Sequence, residues 1–351
     1  MNFENIVQSI PVWLNGEGPE SGIVISSRAR LARNISGIKF VHRADQEQLS
    51  EVVRLVLEAA TLTGFEPTVF FGNSELSDLE KTAFIERHLI SPHLASMEGQ
   101  RGVLVQEGEQ NSILINEEDH LRFQSICSGF NPETVTEVLG KIENKISKAL
   151  KFAFSENYGY LTACPTNMGT GLRISVLIHL PALVFSKEIQ KVIRSAGQLG
   201  LNVRGYYGEG SESSGNLFQI SNKKSLGKTT SEFTASFHSA VTEIIDYEKK
   251  IADALYSGAQ NQLEDKFWRS IGVLKTARML STNEFMSLSS TLRLGCYLGI
   301  LDRNFTGVLN ELLVKTQPGH LQESAGCRVD EFERDTLRAK LVRERVAEIS
   351  I

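Results

Sequence analysis

Up to about residue 230 the chain is dominated by short apolar or alternating runs; beyond it, apolar positions recur at helical spacing. GIVIS (22–26), TVFFG (68–72), YLTAC (160–164), LRISVLIHL (172–180), LNVRGYY (201–207) and NLFQIS (216–221) read as strands. GVLVQ (102–106) and SILIN (112–116) flank EGEQ, which predicts a hairpin. The spacing predicts helices over 45–63, with Asp45 as N-cap, over 132–152, and over 187–200, ending at Gly200. Further helices are predicted over 231–257, 261–279, 283–297, 304–316 and 330–348, with YSGAQNQ (256–262) as a linker. The pattern therefore predicts an α+β domain over 1–257 and an all-helical domain over 258–351.

Composition narrows the function. The 351 residues are 41% hydrophobic and 23% charged, as in ordinary globular chains. A net charge of −5 gives no overall field for nucleic acid or an anionic membrane, so neither is expected as a partner and any anion site must be built locally. The cysteines at 127, 164, 296 and 327 form no CxxC, and the histidines show no zinc spacing, so no protein-bound metal is expected. The start, MNFENIVQSIPVW, lacks the features of a signal peptide, and no apolar run reaches the ~18–20 residues that span a bilayer. The expectation is a cytoplasmic protein.

Four stretches carry chemistry. ILINEEDHLR (113–122) ends a strand-like run in Glu117, Glu118 and Asp119, then His120 and Arg122. Adjacent carboxylates repel and call for a cation. SSRARLAR (26–33) follows a strand with three arginines, and in extended chain Arg28 and Arg30 share a face. CPTNMGTGLR (164–173) has two glycines that can turn backbone N–H groups toward a phosphate, although no GxxxxGK[ST] loop occurs. VRGYYGEGSESSGN (203–216) is polar and glycine-rich, suited to a lid. Five guanidinium groups, Arg28, Arg30, Arg122, Arg173 and Arg204, match the ~4 negative charges of a nucleoside triphosphate.

In the same order, SSRARLARN, INEEDHLR, CPTNMGTGLR and the VRG…GE loop followed by ISNK resemble the phosphagen (guanidino) kinases. HLISPHL, YGEGSE and ERDTLRA extend the resemblance to that family's bacterial branch acting on protein arginine. The resemblance implies an antiparallel β-sheet flanked by helices, Mg2+-ATP as donor and a guanidinium as acceptor. It implies that Glu118 orients the acceptor, that Glu209 grips it from the lid, and that Cys164 lies against it, with Asp119 in the same catalytic group. It implies nucleotide contacts along three strand segments: Ser26, Ser27, Arg28, Ala29 and Arg30; Arg173, Ile174, Ser175, Val176 and Leu177; and Arg204, Gly205, Tyr206, Tyr207 and Gly208. Arg122 and His88 complete the nucleotide set. The Mg2+ would be bound through the nucleotide.

Two departures from the small-molecule members bear on the acceptor. Those members place a helical domain of about a hundred residues before the first arginine motif, which here begins at residue 26. The expectation is an uncovered site that admits an arginine side chain of another protein. In the helical region, RDTLRA (334–339) puts Arg334 and Arg338 on one helical face beside Asp335. The resemblance implies an allosteric phosphoarginine site of Arg334, Asp335, Arg338 and Ala339. It further implies arginine-containing protein substrates, a zinc-binding activator protein, a stress-gene repressor and a Clp unfoldase as partners. A homodimer is implied through the helical region, where FMSLSSTLRLGCYLGI (285–300) offers an apolar stripe that could equally be that region's own core.

Overall fold

The computed structural model describes residues 3–65, 68–206 and 214–348. Among them the strands are β1 (Val24–Arg33), β2 (Thr68–Gly72), β3 (Gly102–Gln106), β4 (Asn111–Ile115), β5 (Leu121–Ser128), the short β6 (Phe154–Ser155) and β7 (Gly159–Tyr160), β8 (Leu172–His179), β9 (Leu201–Gly205) and β10 (Leu217–Asn222). Eight of these form one antiparallel sheet in the order β2-β3-β4-β5-β1-β8-β10-β9, and β6 pairs with β7 apart from it.

β1 lies between β5 and β8, and its register builds the site. Arg30 stands opposite Gln124 on one side and Arg173 on the other, while Ala32 stands opposite Arg122. Residues directly opposite share a face. Arg28, Arg30, Arg122 and Arg173 therefore all project from one side of the sheet. On the other side Ala29, Leu31, Phe123, Ile174, Val176 and Ile220 pack beneath helices. Those helices are Gln46–Leu62, Pro132–Ile146 and the first half of Thr230–Thr276, contributing Val52, Val56, Leu139, Phe237 and Val241. Arg33 breaks the run of even-numbered arginines and falls on the helix side, bonded to Glu143 at 3.0 Å and stacked 3.3 Å over the Tyr160 ring.

The helical region closes the arginine side at its margin. Ile25, Ile126, Leu177 and Leu217 of the sheet share a core with Trp13, Phe285, Leu309, Leu313 and Val342. The apolar stripe from Phe285 is thus interior: Phe285, Met286, Leu292, Leu294 and Cys296 are buried within the chain itself. The stretch 256–262 is no open linker. It lies inside the 47-residue helix Thr230–Thr276, whose one non-helical residue is Ala259 (φ −147°, ψ 39°).

Other elements depart from the sequence pattern. Asp45 does cap its helix, in a reciprocal box with Gln48. β5 went unpredicted, because LRFQSICS alternates only weakly and follows a polar loop. YLTAC is strand only at Tyr160; the chain then turns so that Ala163 N can donate to Asp119. The helix Pro318–Ala325 was also unpredicted, being too short for a clear period.

Candidate active site

Among the described residues, carboxylates pair with only part of the arginine face. Arg122 alone of the four is held by acids, Glu117 at 2.5 Å and Glu118 at 2.7 Å. Among the described residues, Arg28, Arg30 and Arg173 make no ion pair with a carboxylate. Burial, then Arg122 and Arg173, bring the Arg28 guanidinium down to about 10. Burial, then Arg28, Arg122 and Arg173, push Arg30 well below its ordinary value against the pull of Glu117. Arg173 is lowered by burial and by Arg204 and Arg122. Arginines that remain charged at neutral pH and are packed this closely constitute an anion site. Arg204, on β9, stands opposite Gln219 on the neighbouring strand.

Two cavities meet at this face. One, about 300 Å³, has walls of Ile85, Ile90, Leu114, Ile126, Leu177 and Tyr206, with His88 and Arg28 among them. The other, about 170 Å³, is polar: Glu118, Cys164, Thr166, Asn167 and Arg173 line it. Arg30 and Arg122 belong to both. An apolar chamber of that size fits a base and ribose, and the shared arginines would then hold the phosphates between the chambers.

His88 is placed by backbone as much as by side chain. It adopts the left-handed region (φ 61°) after the helix Asp78–Glu86, and its carbonyl accepts from Gln124 Nε2 at 2.9 Å. Burial, then Arg28 and Arg30, bring its imidazole down to about 3, so the ring is neutral. It lies 5.5 Å from the Trp13 ring and 6.2 Å from the Tyr206 ring.

The three acids of the β4–β5 loop diverge. Asn116 turns the chain (φ 58°), and its amide donates to Leu49 O and Gln100 O. Glu117 points inward to Ser91 and Arg122. Asp119 is buried; its Oδ1 accepts from Asn34 Nδ2 at 2.7 Å and Ala163 N at 2.6 Å, and burial raises its pKa. Glu118 alone of the three lines the polar cavity, 36% exposed and accepting from Arg122 and, at 3.3 Å, from Asn167. Cys164 Sγ is 2.9 Å from Thr166 Oγ1 in the same cavity.

The structure divides the sequence-predicted site residues by face. The sequence assigns contiguous runs to the nucleotide, and a strand presents the side chains of alternate residues to opposite faces. Ser26, Arg28, Arg30, Arg173, Ser175 and Leu177 face the cavities. Ala29, Ile174 and Val176 lie in the opposite core, and Ser27 Oγ is committed to Gly129 O and Asn131 N. Gly205 is buried opposite Phe218 in the sheet, while Tyr206 reaches the larger cavity. Asp119 lines neither cavity and positions the segment before Cys164 instead. Tyr207, Gly208 and Glu209 lie outside the described residues.

In the RDTLRA stretch, Arg338 is interior. It donates to Thr316 O at 2.9 Å, Leu280 O at 2.7 Å and Asp335 at 2.5 Å. Ala339 is fully buried, and Arg334 donates to Val329 O at 2.9 Å. The bonds of Arg338 engage its Nε and Nη1. Sequence reasoning missed Asn167, the partner of Glu118, and Gln219, which lines the larger cavity. Asn167 stood in plain view in CPTNMGTGLR but gives no signal until the loop folds against Glu118.

Comparisons with known proteins agree with this geometry. Residues 51–251 match the family described as ATP:guanido phosphotransferase, C-terminal catalytic domain, and residues 260–350 match the protein-arginine kinase McsB C-terminal domain. A protein-arginine kinase of Bacillus licheniformis is 42% identical over 99% of this chain and 96% of its own length. One of Bacillus subtilis is 40% identical over the same shares. Among solved structures, a lombricine kinase superposes with a TM-score of 0.60 at 28% identity, over 70% of each chain. A duplicated taurocyamine kinase of Schistosoma mansoni gives 0.60 at 26% identity, over 70% of this chain and 35% of that one.

Proposed function

The chain belongs to the ATP:guanido phosphotransferase family, and from that premise we propose how its two cavities transfer the γ-phosphoryl group of ATP to arginine side chains of proteins. It is an ATP-dependent arginine kinase whose full-length relatives are named protein-arginine kinases. The observation that carries the residue assignment is the wall shared by the cavities. Arg30 and Arg122 line both, so a phosphoryl group held there faces nucleotide on one side and acceptor on the other.

In this reading the base occupies the apolar chamber beside neutral His88 and Tyr206. Arg28, Arg30, Arg122, Arg173 and Arg204 take the phosphates, with charge-assisted and bidentate hydrogen bonds. The acceptor guanidinium enters the polar cavity, where Glu118 accepts a proton from the attacking nitrogen as the N–P bond forms and the bond to ADP breaks. Asn167 and Arg122 hold Glu118 in place. Cys164 lies against the acceptor. The resemblance assigns Glu209 to the same acceptor. Among the described residues no cluster of three His, Cys, Asp or Glu side chains could hold a metal. In this reading Mg2+ rides on the nucleotide, where it neutralises phosphate charge.

The same reading extends to a cytoplasmic setting, in which marked proteins pass to a Clp unfoldase and a stress-gene repressor is among the targets. A zinc-binding activator, homodimerisation through the helical region and a phosphoarginine site of Arg334, Asp335, Arg338 and Ala339 belong to it as well. The test is incubation with Mg2+-ATP and an arginine-rich protein, with free arginine in parallel, reading acid-labile P–N phosphate by mass spectrometry and phosphorus NMR. Phosphoarginine on the protein is expected. Phosphate on free arginine alone would overturn the assignment of protein as acceptor.

A further inference from the structure

The polar cavity opens beside a rim that the transfer chemistry does not use. Its loop, Cys164–Gly171, is enclosed by two other segments. On one side Gly159 and Tyr160 of the β6–β7 hairpin bridge to Gly169, with Tyr160 N donating to Gly169 O at 2.8 Å. On the other, Ser225 O accepts from Thr170 N and Oγ1, and Ser225 Oγ donates to Thr166 O and Met168 O. Gly169 is squeezed between them. At φ 100°, a Cβ there would meet Ser225 O at 2.5 Å and Leu226 Cα at 2.9 Å. The three segments are thus one rigid frame around Cys164.

That frame holds large apolar side chains out in solvent. Phe154 is 59% exposed, Tyr158 54% and Leu226 49%. Lys223, Lys224 and Lys228 are exposed on the turn carrying Leu226 and form no ion pair among the described residues, against Glu156 on the hairpin. Exposed apolar residues on the segments that brace the loop supplying Cys164, Thr166, Asn167 and Gly171 to the cavity mark an interaction surface.

We propose that this rim is the docking platform for the acceptor polypeptide, and that it selects an arginine set in an extended segment with apolar and acidic neighbours. The inference rests on the protein-arginine reading of the cavity and adds which sequence surrounds the arginine. The main chain would run across the frame while the target guanidinium drops past Cys164 to Glu118. Flanking apolar residues would cover Phe154, Tyr158 and Leu226, and flanking acids would meet the lysines. Acceptors lacking such flanks would forgo this contact.

The experiment uses the full chain carrying Phe154→Ser, Tyr158→Ser and Leu226→Ser together, all at exposed positions, with thermal melting to verify folding. Two synthetic peptides serve as acceptors, one with its arginine flanked by Phe, Leu and Asp, the other by Gly and Lys. The wild type is expected to prefer the first. The variant should raise KM for that peptide at least roughly tenfold, leave kcat and the KM for ATP unchanged, and abolish the preference. Single Lys224→Glu and Lys228→Glu variants should weaken the acidic peptide in a salt-dependent way. A folded variant that keeps wild-type KM and preference overturns the platform while leaving the kinase intact. A wild type that phosphorylates neither peptide nor any protein overturns the underlying activity, and the platform with it.

Discussion

Replacing Glu118 by Gln separates chemistry from architecture in this site. The carboxylate is 36% exposed and paired with Arg122 at 2.7 Å and Asn167 at 3.3 Å. Arg122 keeps its pair with Glu117, the partly exposed pair with Glu118 contributes about 1 kcal/mol or less to folding, and the amide retains an oxygen that Arg122 can reach. The variant should therefore melt close to the wild type. Nucleotide affinity should hold or rise slightly, because the apolar chamber lies beyond Arg30 and Arg122 and loses an anion from its far side. The rate should fall far more. A protonated guanidinium has no free lone pair, and loss of the base that takes its proton costs roughly 100- to 10,000-fold, or about 3–5 kcal/mol in the barrier. Steady-state phosphoarginine formation, titration calorimetry with a non-hydrolysable ATP analogue and a thermal melt measure the three quantities. A turnover within about fivefold of wild type would refute the role, and so would a loss of ATP affinity matching the loss of rate.

Arg30→Ala should weaken ATP binding by more than tenfold while folding stability holds or rises, since it removes mutual repulsion; Arg33→Met, three residues on, should do the reverse and cost about 3–5 kcal/mol by stranding Glu143, as denaturant titration with and without nucleotide would reveal. Arg338→Ala should lower the melting temperature sharply, because it strands buried carbonyls of Thr316 and Leu280; an unshifted melt would refute that structural role. Glu248 is buried, and burial raises its carboxyl to about 7 against the hydrogen bonds from Ala182 N and Leu183 N. A raised folded-state value means stability present below the unfolded value near 4.5 and lost as pH rises through about 7. The difference between wild type and Glu248→Gln across pH 4.5–8 should show that slope, and a constant difference would contradict it.

The arginine face was legible because it follows from a period of two. Arg28 and Arg30 two apart on a strand must share a side, whatever the fold around them. The same rule turns the side chains of Ser27, Ala29, Ile174 and Val176, which sit between facing residues, to the opposite side. The residues of the acid triplet could not be told apart in sequence. Their different fates depend on the turn at Asn116 and on distant partners, Ser91 for Glu117 and Ala163 for Asp119. Arg338 illustrates the opposite limit. Its spacing from Arg334 implies one helical face, but whether that face meets solvent or Thr316 and Leu280 is decided by tertiary packing. The short helix Pro318–Ala325 and β5 escaped because neither carries enough periodic residues to be told from loop.

The register of β1 has a consequence for how this protein can vary. The strand is central, paired on both sides, and each successive residue serves an opposite master: Arg28 and Arg30 the crevice, Ala29 and Leu31 the core, Arg33 the helix bearing Glu143. Inserting or deleting one residue anywhere between Ser26 and Arg33 would turn every later side chain to the wrong side, placing guanidinium groups in the core and alkyl groups at the phosphates. Substitutions here can be graded in effect, but length changes cannot. A library of single-codon insertions and deletions across the gene should therefore show its deepest trough in β1, and the exposed hairpin turn at Glu156 and Asn157 should absorb the same changes with the protein still folded.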